Sequence, residues 1–263
     1  ISLAQFPEHA TSAEKLVAVT HATLLGACGT EQILTPGPEH ESWSAESNGP
    51  IVISDQMREV FSTAERLADT TIPVLIIGET GTGKEVISRA IHYGGPRGKH
   101  QLHTVNCGAI PSELVESTLF GYEKGAFTGA NRQTAGLFES ANASTVLLDE
   151  IGELPPAAQA SLLRVLESKT FTRVGGQRIL TVDVRILAAT NRDLESMVAE
   201  GTFREDLYFR LNAMTLHIPP LRERLEEIEH LVEHFISEAN QANQRMVTCI
   251  SEGALELLRR YSW

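Results

Sequence analysis

A chain of 263 residues with 42% hydrophobic, 21% charged and only 6% aromatic residues has the composition of a soluble globular protein with room for one large core or two unequal ones. Nowhere do about 18 apolar residues run together, which excludes a membrane-spanning helix. The net charge of −12 at pH 7 argues against this stretch being a main DNA-contacting surface, which needs clustered Lys and Arg.

Cys28, Cys107 and Cys249 are widely spaced and form no CxxC pair, so reduced thiols in a cytoplasmic protein are expected rather than a disulfide framework or a zinc site. The nine histidines are read as surface or satisfied core residues. The chain opens at Ile1 with no basic n-region or cleavage site, so no secretion signal is visible. Both ends look cut, and the expectation is a fragment of a longer protein.

Along the chain, residues 1–34 read as the end of an upstream regulatory domain. Ser12 can cap a helix carrying Leu16, Val17, Val19, Leu24 and Leu25, which Gly26 and Gly29 interrupt. Thr35-Pro36-Gly37-Pro38 and the polar stretch to Pro50 make residues 35–50 a linker; a disordered arm is the alternative reading. From Ile51 to Ile218, short apolar runs alternate with amphipathic helices. Val74–Ile77, Leu102–Val105, Thr145–Leu148, Val184–Ala188 and Met214–Ile218 read as strands. Gln159–Glu167, with Leu162, Leu163, Val165 and Leu166 on one side, reads as a helix between them. That alternation predicts an α/β domain over 51–218 with a mostly parallel sheet. Residues 219–263 read as helix only: Ile228, Leu231, Val232, Phe235 and Ile236 repeat at helical spacing, and a further helix from near Ser251 buries Ala254, Leu255 and Leu258.

Gly78-Glu79-Thr80-Gly81-Thr82-Gly83-Lys84 follows the first buried strand and opens a helix running to His92, the context of a P-loop, or Walker A motif. Its glycines let backbone N–H groups wrap the phosphates of ATP at a helix N-terminus, and Lys84 neutralises them. Glu85 replaces the usual Ser or Thr, so the usual hydroxyl ligand for Mg²⁺ is absent. The Thr145–Leu148 strand delivers Asp149 and Glu150 at its C-terminal end in the manner of a Walker B motif. Asp149 is suited to Mg²⁺, and Glu150 to polarising a water for in-line attack on the γ-phosphate. Thr190 and Asn191 end a third strand, where a polar amide could hold that water or the phosphate; the plain alternative is an ordinary turn. Phe203–Arg210 places Arg204 and Arg210 on one helix, either as an exposed face laced with Arg/Glu pairs or as arginine fingers for a neighbouring subunit. In Gly125-Ala126-Phe127-Thr128-Gly129-Ala130, the glycines permit positive φ, and Phe127 is either core-facing or exposed for a partner.

Together these residues resemble the AAA+ activators of bacterial sigma-54 RNA polymerase, the bacterial enhancer-binding proteins. The likeness runs from Ile51 to Trp263 through GETGTGKE at Gly78–Glu85, VNCGAI at Val105–Ile110, LFGYEKGAFTGA at Leu119–Ala130 and LLDEIGEL at Leu147–Leu154. RVGGQ at Arg173–Gln177, AATNRDL at Ala188–Leu194, FREDLYFRLN at Phe203–Asn212 and PPLRER at Pro219–Arg224 complete it.

The resemblance implies a P-loop NTPase with a parallel five-stranded sheet and a partial all-helical lid. It implies a ring, usually a hexamer, that hydrolyses ATP to ADP and phosphate at sites between subunits. It also implies that Lys84 binds phosphate, Asp149 binds Mg²⁺, Glu150 activates water, and Asn106 holds the glutamate until the ligand state releases it. Thr190 and Asn191 match the first sensor, Arg204 and Arg210 the trans-acting arginines, and Glu85 is ordinary within this family. Phe127 and Thr128 match the tip that touches the sigma-54 holoenzyme, with the segment around Val174–Leu180 as a supporting loop.

Where the family usually has paired glycines, this chain reads Asn142-Ala143-Ser144-Thr145, which is expected to alter a turn and not the chemistry. The family continues past Tyr-x-Trp with an arginine that senses nucleotide, and DNA is expected to be reached only through a domain missing from this chain. The competing reading is a nucleotide-binding assembly module that remodels nothing.

Overall fold

The computed structural model describes residues 50–263, so the helix and most of the linker expected before Pro50 lie outside the described residues. The described chain divides into two compact units: Gln56–Pro219, and Pro220–Trp263 taken with the residues up to Asp55.

The larger unit is a five-stranded parallel sheet in the order β2-β3-β6-β1-β7. Its strands are β1 (Val74–Ile77), β2 (His103–Asn106), β3 (Thr145–Asp149), β6 (Arg185–Thr190) and β7 (Thr215–His217). Each lies within a residue or two of its sequence-predicted position. The order follows from burial. β6, central in the sheet, is buried at every residue, and β1 and β3 nearly so, as strands covered on both faces must be. β2, at one edge, alternates between half-buried and exposed residues. Seven helices surround the sheet: α1 (Asp55–Ala68), α2 (Lys84–Tyr93), α3 (Ser112–Phe120), α4 (Leu137–Ser140), α5 (Pro156–Ser168), α6 (Leu194–Ala199) and α7 (Glu205–Leu211). Because the strands are parallel, Gly78, Asn106, Asp149 and Thr190 all fall at or just past the same edge.

The core packs against one face of the sheet around Phe120, Phe138 and Phe171; Phe120 stacks on Phe138 with ring centroids 5.3 Å apart. α5 starts with Pro156 at its first position, where no N–H is missed, and buries Ala158, Leu162 and Val165. Gln159 on that helix is also buried. Its amide donates to Leu154 O at 2.9 Å and Thr202 O at 3.1 Å, and its oxygen accepts the Arg204 backbone N–H. It therefore pins the entry to α7.

Two features depart from the sequence pattern. Thr170–Thr172 (β4) and Ile179–Thr181 (β5) form a separate antiparallel pair, where the sequence suggested only a loop. Arg185, inside an otherwise apolar strand, is buried and donates to Leu67 O at 2.7 Å and Ala68 O at 2.9 Å, closing the last turn of α1. Burial lowers its guanidinium pKa to about 10, with Arg97 adding repulsion. The unusual Asn-Ala-Ser turn keeps the geometry that glycine favours: Ala143 sits at φ 66° and its N–H donates to Asp183 O at 2.8 Å.

In the smaller unit, α8 (Ile228–Asn243) and α9 (Glu252–Arg260) are joined by an Arg259–Glu229 ion pair at 2.9 Å, and Ser251 caps α9. Of the apolar repeat on α8, Ile228 is buried while Phe235 is 60% exposed. This unit also buries a polar cluster. Glu227 is fully buried and accepts from the Ser54 N–H and hydroxyl, the Ile53 N–H and the Arg224 guanidinium. Burial pushes its pKa up, but these bonds outweigh it and hold the carboxyl below its usual range.

Candidate active site

The loop Gly78–Gly83 leaves β1 and turns into α2. Gly81 and Gly83 adopt φ of 83° and 98°, so the chain enters the helix through a left-handed residue that a Cβ would strain. The Gly78 N–H donates to Thr190 O at 3.1 Å, tying the loop to β6. Lys84 is largely buried, and its ammonium donates to the Gly78 and Glu79 carbonyls at 2.9 and 3.0 Å. The Thr82 hydroxyl donates back to Glu79 O at 2.8 Å. Glu85 turns along the helix to Arg89 at 3.0 Å.

Asn106 and Asp149 lie side by side in the β2–β3 register. The Asn106 carboxamide oxygen accepts from Gly108 N and Ala109 N, capping the 3₁₀ turn Cys107–Ala109. Among the described residues, no hydrogen bond links Asn106 to Glu150, although both line one cleft. Asp149 accepts the Glu150 N–H at 3.0 Å, and Glu150 itself is left-handed at φ 51°, ψ 49°. The cleft, about 770 Å³, is lined by Asn106, Gly108, Ala109, Glu150, Glu153, Asn191 and Arg192. The Asn191 amide reaches the Thr80 hydroxyl at 3.1 Å, bridging the end of β6 to the P-loop. Beneath it, the Cys107 thiol is pushed up to about 12, first by burial and then by the charges of Asp149 and Glu150, so it is no nucleophile.

The structure thus gathers Gly78–Lys84, Asn106, Asp149, Glu150, Thr190 and Asn191 along one sheet edge. Arg204 and Arg210 do not line the cleft. Arg204 is not in the helix, as the sequence suggested, but precedes its first turn in an extended conformation, with its N–H donated to the Gln159 amide oxygen. It pairs with Asp206 at 2.7 Å, and Arg210 lies 3.9 Å from Glu167; both arginines are exposed. The Glu153–Arg192 pair beside Glu150 was not anticipated, since nothing in the sequence spacing links the two. His230 and His234 stand one turn apart on α8, yet the described residues contain no group of three side chains placed to hold a metal.

Gly125–Ala130 forms an exposed loop. Gly125 and Gly129 take φ of 83° and 100°, and Gly125 N donates to Ala130 O at 2.9 Å to close it. Phe127 is 42% exposed, with its ring 4.9 Å from that of Tyr122. The base of the loop is tied to the β4–β5 connection: Glu123 N donates to Val174 O and Val174 N to Gly121 O. Arg173 joins both sides, bonding Glu139 at 2.8 and 2.6 Å and Glu123 at 2.8 Å. Its bond to Arg173 holds the Glu139 carboxyl below its usual range, and the two carboxylates raise the guanidinium pKa.

A P-loop after β1, adjacent carboxylates after β3 and a Thr-Asn end on β6, in this strand order, define an AAA+ P-loop ATPase fold. The family model described as the Sigma-54 interaction domain matches residues 51–217, and that described as the AAA+ ATPase lid domain matches residues 222–263. The chain belongs to the sigma-54 interaction domain family. It is similar to the regulatory protein AtoC of Escherichia coli (strain K12), at 52% identity over 80% of this chain and 46% of that protein. The Nif-specific regulatory protein of Herbaspirillum seropedicae matches at 52% identity over 81% of this chain and 39% of its own length. The chain thus spans less than half the length of these curated relatives. Among solved structures, NtrX from Brucella abortus in complex with ATP gives a TM-score of 0.76 at 32% identity, covering 95% of this chain and 50% of that one. No helix among the described residues is long and apolar enough to cross a membrane.

Proposed function

We propose that this chain is a cytoplasmic ATP-hydrolysing motor domain that remodels the closed complex of sigma-54 RNA polymerase through the loop Gly125–Ala130. The observation that carries the proposal is that a P-loop and an exposed loop bearing Phe127, with a base tied by Arg173 to Glu123 and Glu139, are built into one compact unit. An exposed aromatic held on two glycine hinges is a costly surface that a protein partner can cover.

In this reading the backbone from Gly78 to Glu85 and the Lys84 ammonium hold the phosphates of ATP. The left-handed Gly81 and Gly83 make a cradle that side chains would strain, and the hard oxygens of Asp149 suit Mg²⁺. Held there, Mg²⁺ would supply charge neutralisation to the phosphates. Glu150 takes the proton of the attacking water; Asn106, bonded here to the Gly108 and Ala109 N–H groups, restrains Glu150 in another ligand state; and Thr190 and Asn191 sense the γ-phosphate, Asn191 linking it to the P-loop through Thr80. Arg204 and Arg210, exposed and outside this chain's own cleft, serve a neighbouring subunit's nucleotide in a ring, taken as a hexamer. Residues 51–218 act as the motor and 219–263 as its lid, and DNA is reached through a domain outside this chain.

Two variants test the proposal. Glu150→Gln is expected to bind nucleotide and lose turnover; undiminished hydrolysis removes Glu150 from its role. Thr128→Ala is expected to hydrolyse ATP yet fail to support open-complex formation, and normal promoter opening removes the loop. Turnover without any promoter opening in the unaltered protein would favour the assembly module that remodels nothing.

A further inference from the structure

We propose that Arg192 is a positioning residue for Glu150: its pairing with Glu153 fixes the turn that aims the Glu150 carboxylate into the cleft. The inference rests on the reading of Glu150 as the residue that activates water. Glu150 sits at φ 51°, a region disfavoured for any residue with a Cβ and kept only where the surroundings dictate it. The strained residue is followed by a single 3₁₀ turn, Ile151–Glu153, in which Glu153 N donates to Glu150 O at 2.9 Å. Ile151 anchors the inner side of that turn in the core.

On the outer side the turn is closed by the ion pair between Glu153 and Arg192. The Arg192 side chain reaches Glu153 by crossing the face of Gly152. A Cβ there would stand 3.1 Å from Arg192 Cδ and 3.4 Å from Met197 Sδ.

Arg192 is itself held at its root. Its N–H donates to the Thr190 hydroxyl at 2.9 Å, and Thr190 is fully buried. The intervening Asn191 reaches Thr80 of the P-loop. Three consecutive residues at the end of β6 therefore reach the sheet, the phosphate loop and the turn behind Glu150. Both members of the pair are substantially exposed, so their attraction adds little to folding stability. Its effect lies in geometry, where a small misplacement of a reacting group slows the chemical step far more than it weakens binding.

The test measures ATPase kcat and KM, ADP affinity, and affinity for ADP with aluminium fluoride as a mimic of the transition state. Arg192→Ala and Glu153→Gln are each expected to lower kcat on the order of 10- to 100-fold with KM and ADP affinity unchanged. Affinity for the aluminium fluoride complex should fall in parallel. The double variant should be no slower than the slower single one, and the exchanged pair Arg192→Glu with Glu153→Arg should recover rate. Should Arg192→Ala not fold, Arg192→Gln keeps the stem over Gly152 and carries the same test. Wild-type kcat in both single variants overturns the proposal. So does weakened ATP binding in Arg192→Ala alone, which would make Arg192 a direct phosphate contact. Glu150→Gln measured alongside separates the two failures: if it abolishes turnover while the Arg192 variants do not, only the positioning role falls; if it hydrolyses normally, the reading of Glu150 falls first.

Discussion

Truncating Arg173 to alanine strips the base of the exposed loop of its bonds to Glu139 at 2.8 and 2.6 Å and to Glu123 at 2.8 Å. The Arg173 side chain is 10% exposed, but the carboxylates left behind are 21% and 33% exposed and can recruit water. The full penalty of an abandoned buried charge, about 3–5 kcal/mol, is therefore not reached. Hydrogen bonds to charged groups contribute about 1.5–3 kcal/mol each, and partial rehydration brings the net loss to about 2–3 kcal/mol. For a unit of this size, at about 2–4 °C per kcal/mol, the melting temperature should fall by about 4–12 °C. The loosening should be local. Hydrogen exchange should accelerate over residues 121–131 and 173–176, while residues 78–85 and ADP affinity stay as in the unaltered protein. An unchanged melting temperature, or equal acceleration at the P-loop, would refute Arg173 as the latch of the exposed loop.

Two further expectations concern positions away from both sites. Ala143→Gly should stabilise the fold: relief of the left-handed strain gains about 1–2 kcal/mol, and the freer unfolded glycine gives back about 0.4–1. A melting temperature equal to or below that of the unaltered protein contradicts this. His92 is buried, with Nε2 on His100 O at 2.8 Å and Nδ1 without a partner; burial lowers its pKa, and Arg185 and the neighbouring His100 and His103 reinforce the shift. The folded pKa thus lies below the unfolded 6.5, so as pH falls below about 6.5 the unfolded chain gains a proton that the folded one refuses. Stability should fall until pH passes the folded pKa, then level off. His92→Gln should make that limb shallower in denaturation curves, with His103, also lowered by burial, still contributing; an unaltered slope speaks against it.

The candidate nucleotide site could be proposed from sequence because it is built from contiguous strand–loop–helix segments: Val74–Ile77 with Gly78–Lys84, and Thr145–Leu148 with Asp149 and Glu150. β1 and β3 were readable because burial on both faces leaves a largely apolar run, whereas the edge strands β2 and β7 are more polar. What escaped depends on partners far apart in sequence. Gln159 entered the sequence reading only as the first residue of a helix, and nothing near it in sequence shows that Thr202 and Arg204 are its partners. Arg204 read as helical because no local signal, such as a Ser, Thr, Asp or Asn cap, marks it as the residue before the first turn. β4 and β5 are three-residue strands with no resolvable period, and Arg173, between them, meets Glu123 and Glu139 only through the tertiary fold. The left-handed Ala143 was foreshadowed only as a departure from paired glycines.

The arginine that closes α1 has a consequence for the chain as it leaves the ribosome. Arg185 is made 117 residues after Ala68, whose carbonyl it caps, and β6 must arrive before β1 has its neighbour in the sheet. At about 5–20 residues per second, that is a wait of roughly 6–23 s. Until it ends, the last turn of α1 and the apolar strand Val74–Ile77 made just after it stand without these partners. The segment that ends in the candidate phosphate loop therefore stays uncovered until then, and the candidate ATP site cannot be completed before β6 has docked beside it.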